Sequence, residues 1–196
     1  MKDKVILVDC DGVLLDWYYS FTQWMERHGY GKPKMKDGKI YYDITTQYQL
    51  KEGEGLKLIR IFNESAWIRK LTPLRDSIKY VKKLHQDHGY VFHAITSLSN
   101  DPYVQSLRTK NLIDLFGSTV FERFTYLDTC GPKDEALLPY KDTGCFWVED
   151  KSSNAQLGYD LGLDPILMKH PFNLYDEPVD ARKVNNWKEI YEIITG

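Results

Sequence analysis

The sequence predicts an α/β fold built on a parallel sheet, and three observations carry that prediction. Short, β-rich apolar runs recur at Val5 to Val8, Tyr90 to Ile95, Cys145 to Val148 and Pro165 to Met168, each followed by polar or turn residues. Stretches with helical periodicity separate them, and strands alternating with helices imply parallel pairing. The first run ends in Asp9-Cys10-Asp11-Gly12. A buried strand that stops there leaves two carboxylates at the carboxyl edge of the sheet, where open α/β folds bind their ligands.

The elements follow in chain order. Between the first strand and the first regular core helix lie residues 17–72, with a helix expected from about Trp17 to Arg27, a polar, glycine-containing stretch from Gly29 to Gly55, and a helix from about Leu56 to Phe62. A βα loop needs only about 2–6 residues. The segment therefore reads as a helical cap inserted over the carboxyl edge of the sheet, with residues 1–16 and 73–196 as the core domain. Residues 75–88 carry Ile78, Val81 and Leu84 at helical spacing and stop at Gly89. Asn100-Asp101-Pro102 combines a side-chain cap with an early proline, opening a helix through Val104, Leu107 and Leu112 to about Phe116-Gly117. Another helix covers roughly 152–161, and the last, Asn186 to Ile194, shows Trp187, Ile190, Tyr191 and Ile194 on one face.

Composition narrows the function classes. The 196 residues suit one globular domain with a modest insertion. With 26 Lys+Arg against 28 Asp+Glu, no global charge draws the chain to a long nucleic acid or a membrane surface. The amino terminus runs straight from Met1-Lys2-Asp3-Lys4 into the first strand, without the apolar region of a secretory signal. No apolar stretch approaches the ~18 residues that span a bilayer. The cysteines Cys10, Cys130 and Cys145 are odd in number and lack metal spacing. The expectation is a cytoplasmic protein with reduced thiols.

Two acidic side chains crowded at a strand end call for a counter-ion, and a hard divalent cation with oxygen ligands fits best. An ordinary Asp-Gly turn would carry the same residue types. Three further segments decide between the two readings. The second strand finishes in Thr96-Ser97, the third predicted strand in Glu149-Asp150, and Lys133 stands between them at the start of a short helix. A parallel sheet brings these ends together, so one site would hold carboxylates, a hydroxyl, a cation and an ammonium group. That inventory fits phosphoryl transfer, in which the phosphate oxygens need positive charge and hydrogen-bond donors while a carboxylate can attack in line.

In order and context, Asp9-Cys10-Asp11-Gly12, Thr96, Lys133 and Glu149-Asp150 resemble the four motifs of the haloacid dehalogenase (HAD) superfamily of phosphohydrolases. The resemblance covers the chain from the first strand to about residue 170. It implies a Rossmann-like three-layer sandwich with a small C1 cap, a magnesium cofactor and an aspartyl-phosphate intermediate. By the same resemblance Asp9 is the nucleophile and a metal ligand, and Asp11 is the general acid and base whose backbone carbonyl also meets the metal. Thr96 would donate to the phosphate, Lys133 would neutralise it and orient Asp9, and Asp150 would complete the metal site with Glu149 behind it. Lys141 and Lys151 compete with Lys133 for its role. Alternation along the strand turns Cys10 away from the two acids, which makes it a packing residue.

An insertion directly after the first motif, the run from Asp9 to Trp17 leading into an aromatic helix, and the Thr96-Ser97 pair are similar to the 5'(3')-deoxyribonucleotidases. That similarity implies a small phosphate ester, a nucleoside monophosphate, as substrate, with Ser97 and cap aromatics assisting. Base stacking on Trp or Tyr contributes ~1–3 kcal/mol, and Trp17, Phe21, Tyr42 and Trp67 are the candidates. The cap lysines Lys32, Lys34, Lys36 and Lys39 match no nucleotidase signature and keep a phosphosugar or a polynucleotide 3'-phosphate open as substrates. The same residues would also serve a mutase-like phosphotransferase or a non-catalytic module that binds a phosphorylated partner. His170-Pro171-Phe172-Asn173 follows the last predicted strand near the same edge, a position that allows a supporting role, and reads by default as a proline turn.

Overall fold

The computed structural model describes residues 4–35 and 38–196, so Met1 to Asp3 and the cap lysine Lys36 lie outside the described residues. Among the described residues six strands form one sheet: β1 (Val5–Val8), β2 (Val91–Ser97), β3 (Phe121–Leu127), β4 (Phe146–Glu149), β5 (Asp164–Met168) and β6 (Arg182–Val184). Their order is β3-β2-β1-β4-β5-β6, and every pairing is parallel. From β1 the chain builds outward through β2 and β3, then returns to the other side of β1 for β4. The order therefore reverses at β1, and a crevice opens beyond its carboxyl end.

Why β1 is continuous rather than alternating in hydrophobicity follows from its two covered faces. Ile6 and Val8 point into the larger apolar cluster, while Leu7 points into a smaller one with Ile95, Leu137, Trp147 and Leu163. The helices are α1 (Trp17–Arg27), α2 (Ile44–Tyr48), α3 (Glu54–Asn63), α4 (Ser77–His88), α5 (Pro102–Phe116), α6 (Asp134–Leu137), α7 (Ser152–Asp160) and α8 (Trp187–Thr195), with 3-10 turns at Ala66–Lys70 and Leu138–Tyr140. Side chains cap two of the helix starts that the sequence marks. Asp16 accepts from the Tyr19 amide at 3.1 Å, and Asp101 accepts from the Tyr103 amide at 2.8 Å. Gly89 ends α4 in the left-handed region at φ 72.

The close seat of α7 depends on one glycine. A Cβ at Gly158 would lie 2.4 Å from Cδ1 of Trp147. Between β1 and α4, the faces of α1 and α3 that carry Phe21, Met25, Leu58 and Phe62 join the same apolar cluster as Val81, Leu112 and Trp187.

Three elements depart from the sequence reading. The strand β3 is partly exposed, with Glu122 and Arg123 open to solvent, because it lies at the sheet edge and pairs with β2 alone. The three-residue β6 at the other edge carries too few residues to show a period. Within the stretch expected to be irregular, Asp43 accepts from the amides of Thr45 and Thr46 and caps α2.

Candidate active site

The site begins with the turn after β1. The Cys10 carbonyl accepts from the amides of Leu14 and Leu15 at 2.9 Å, and Gly12 takes φ 74 between them. A Cβ at Gly12 would stand 2.1 Å from Oδ2 of Asp150, so the missing side chain is what lets the first and fourth motifs meet. Two side chains from the far end of the sheet pin the turn. Nε2 of His170 donates to the Gly12 carbonyl at 2.6 Å, and Nε1 of Trp187 donates to the Val13 carbonyl at 2.8 Å. Burial holds the His170 imidazole below its ordinary pKa, consistent with a neutral ring donating one hydrogen.

Within the crevice, Lys133 lies between two acids. Its Nζ is 3.0 Å from Oδ2 of Asp9 and 2.7 Å from Oε2 of Glu149, and all three side chains are buried. Burial disfavours the ammonium, but Asp9 and Glu149 outweigh it and raise its pKa. Oδ1 of Asp9 accepts from the Cys10 amide at 2.7 Å, and Oε1 of Glu149 accepts from the Lys151 amide at 3.1 Å. Each acid is thereby held by a backbone donor as well as by Lys133.

One ammonium does not balance the charge gathered here. Oxygens of Asp9, Glu149 and Asp150 lie within 4.8 Å of one another. Burial pushes the Asp9 carboxyl up to about 7 against the pull of Lys133, and burial together with Glu149 and Asp9 raises Asp150. A buried cluster of hard oxygen donors with a deficit of positive charge suits magnesium.

The other two motif residues face the same crevice. Thr96 is buried, and its Oγ1 has no hydrogen-bond partner among the described residues. A buried hydroxyl without a partner is costly unless a ligand supplies one. Asp11 meets a fully buried guanidinium: Nη1 of Arg108 is 2.7 Å from Oδ1, and Nη2 is 3.3 Å from Oδ2. Burial raises the Asp11 carboxyl above its ordinary pKa, with Arg108 pulling the other way.

With this geometry established, the relatives can be weighed. The family described as "5' nucleotidase, deoxy (Pyrimidine), cytosolic type C protein" has a sequence model that matches residues 3–196. The chain belongs to this family. It is a phosphomonoesterase of the 5'-nucleotidase kind, built on the HAD fold. An uncharacterized 32.4 kDa protein of Enterobacteria phage T4 is 31% identical over 192 residues, which are 94% of this chain and 67% of that protein. Among solved structures, a haloacid dehalogenase-like hydrolase of Streptococcus pneumoniae superposes with a TM-score of 0.65 at 15% identity over 99% of each chain. The HAD-hydrolase YfnB of Bacillus subtilis, bound to magnesium, gives 0.62 at 15% identity over the whole of both chains. CbbY of Rhodobacter sphaeroides, in complex with phosphate, gives 0.61 at 14% identity over 96% of each. At these identities the likeness is one of fold.

In this nucleotidase-family chain the acids share a cavity with aromatic and polar side chains. The cavity, of about 350 Å³, is lined by Asp9, Asp11, Thr96, Ser97, Lys133 and Asp150 together with Trp17, Tyr42, Gln47, Asn63, His170 and Phe172. Trp17 is fixed there by Nε1 donating to Oδ1 of Asn63 at 2.9 Å. Tyr42 meets Phe172 edge-on at 5.3 Å, and Phe172 stacks on His170 at 5.0 Å.

Several expectations need correction. Phe21 does not line the cavity: it is fully buried behind Trp17, stacked on that ring at 4.6 Å. Trp67 is also outside the cavity lining, with the Arg27 guanidinium over its ring at 5.0 Å. Ser97 reaches the cavity wall, but its hydroxyl donates to the Gly131 carbonyl at 2.8 Å. That bond steadies the loop leading to Lys133. Lys151 reaches the mouth over the Tyr42 ring, and Lys133 rather than Lys151 contacts Asp9. Cys10 is buried, as its place on the strand implied, and burial pushes its thiol up to about 12.

Two further side chains support the site, and of these sequence reasoning overlooked Arg108. Nδ2 of Asn173 donates to the Asp150 carbonyl at 2.7 Å and to the Met168 carbonyl at 2.8 Å, tying the fourth motif to the end of β5. The place of Asn173 just after β5, near the same sheet edge, is the signal the sequence offers for that link. Arg108 did leave a trace, because it stands at four-residue spacing with Val104, Leu112 and Phe116 on the buried face of α5, which also carries Asn111.

Proposed function

We propose that the chain is a magnesium-dependent phosphatase that removes phosphate from deoxynucleoside monophosphates through an aspartyl-phosphate on Asp9. The observation that supports this most is the convergence of Asp9, Asp11, Thr96, Lys133 and Asp150 on one cavity whose lining also includes Trp17, Tyr42 and Phe172. Asp9 and Asp150, with the backbone carbonyl of Asp11, would hold the ion. Bound there, magnesium supplies the positive charge that offsets repulsion between Asp9 and the substrate phosphate.

Each remaining role falls to a side chain. An oxygen of Asp9 attacks phosphorus, the ester oxygen leaves with its bond electrons, and Asp11 gives that oxygen a proton. Water then attacks the phosphoryl group, Asp11 takes back a proton, and Asp9 and inorganic phosphate are released. Proton transfer by a positioned side chain contributes ~10²–10⁴-fold in rate. The free Oγ1 of Thr96 donates to a phosphate oxygen, and Lys133 holds Asp9 in place while offsetting charge on the phosphate. Residues 17–72 form the cap, with Trp17 and Tyr42 beside the nucleoside.

A phosphate-release screen tests the substrate assignment. Deoxynucleoside 5'-monophosphates should turn over faster than sugar phosphates or 3'-phosphorylated oligonucleotides, and chelation of magnesium should abolish release. Faster turnover of a sugar phosphate would contradict it, as would full activity in excess chelator.

A further inference from the structure

We infer that Arg108 is a positioning residue for catalysis, holding the Asp11 carboxylate in the orientation from which it moves the proton. The inference rests on the role proposed above for Asp11 and goes beyond it by naming the group that aims this acid. Arg108 lies on the inner face of α5, whose other buried residues include Val104, Leu112 and Phe116. Its side chain is wholly buried, and its two terminal nitrogens both face Asp11. On this stripe an apolar side chain would serve packing better, because a buried ion pair seldom stabilises a fold more than hydrophobic residues of similar volume.

The geometry supplies what packing does not explain. A guanidinium is a rigid, planar fork, so two N–H donors fix the plane of a carboxylate as well as its place. The contacts of 2.7 Å and 3.3 Å are unequal, so the fork grips Oδ1 more firmly than Oδ2. About a fifth of the Asp11 side chain stays exposed on the cavity, which leaves the carboxyl able to meet a substrate oxygen while α5 holds it from behind. A lysine would supply the charge without the second contact. Misplacing a catalytic group by about 1 Å can cost on the order of 10²-fold in rate, so the grip affects turnover and not only the attachment of α5 to the turn.

The test is the dependence of kcat/KM on the leaving group, measured on the full chain with magnesium. Asp11 has to protonate a nucleotide's poor leaving oxygen, whereas p-nitrophenolate leaves without that help. Arg108→Met should lose about 10²-fold on a deoxynucleoside monophosphate and less than about tenfold on p-nitrophenyl phosphate. Arg108→Lys should show a smaller split of the same sign. In an Asp11→Asn background, Arg108→Met should add less than about threefold, since the two residues act as one unit. Equal losses on both esters, or full losses that multiply in the double variant, would overturn the inference and leave Arg108 a structural tie. If Arg108→Met does not fold, as judged by far-ultraviolet circular dichroism, the split in Arg108→Lys decides in its place. If Asp11→Asn itself shows no leaving-group split, the role of Asp11 fails first, and that outcome is distinct from a failure of Arg108 alone.

Discussion

At the residue scale, the site works by keeping charges in contact with partners that water would otherwise replace. Lys133 touches Asp9 and Glu149 together, so its ammonium is held in place before substrate arrives, while the Thr96 hydroxyl waits without a partner among the described residues. Asp9 and Asp11 share one turn yet meet different cations, Lys133 and Arg108. Two neighbouring carboxylates can thereby take different roles. On the substrate side, Tyr42 is the aromatic whose loss should separate binding from chemistry. Tyr42→Ala is expected to weaken nucleotide binding by ~1–3 kcal/mol, read as a rise in KM with kcat retained, and to leave the KM of a small sugar phosphate nearly unchanged. A fall in kcat alone would remove Tyr42 from the binding wall.

At the element scale, the sheet edge was legible and most of its supports were not. The runs before Asp9, Thr96 and Glu149 are apolar and rich in strand-forming residues, so β1, β2 and β4 could be read directly, and their shared direction brought the motif residues to one edge. Edge strand β3 escaped because Glu122 and Arg123 interrupt its pattern. Trp67 and Phe21 were plausible ligand contacts only by residue type. Which aromatic faces a cavity depends on helix rotation and on partners such as Asn63, distant in sequence from Trp17. The packing of α7 on β4 depends on Gly158, whose Cβ would collide with Trp147. Gly158→Ala should therefore destabilise the chain by ~1–3 kcal/mol through overpacking, measured as a lower urea midpoint at unchanged slope. An unchanged midpoint would show that α7 can shift without cost.

At the scale of the whole molecule, the acidic edge should make stability depend on pH, and on magnesium if the ion binds as proposed. Burial lifts Asp9 to about 7 and raises Asp150 in the same direction, against about 3.9 for an aspartate in an unfolded chain. Between these values the folded state binds more protons than the unfolded one, so metal-free stability falls as pH rises through that window. Magnesium would replace the lost protons. The rise in melting temperature on adding it should be larger at pH 8 than at pH 5, and an equal rise at both would show that the ion does not bind the carboxylates whose pKa values are raised.

The central claim, that Asp9 carries the phosphoryl group, has a direct measurement. Acid quenching during turnover of a deoxynucleoside monophosphate, followed by borohydride reduction and peptide mass spectrometry, marks the aspartate that was phosphorylated. The account predicts reduction to homoserine at Asp9 alone, with neither label nor turnover in Asp9→Asn. Undiminished turnover in Asp9→Asn, or a label on another carboxylate, would contradict it.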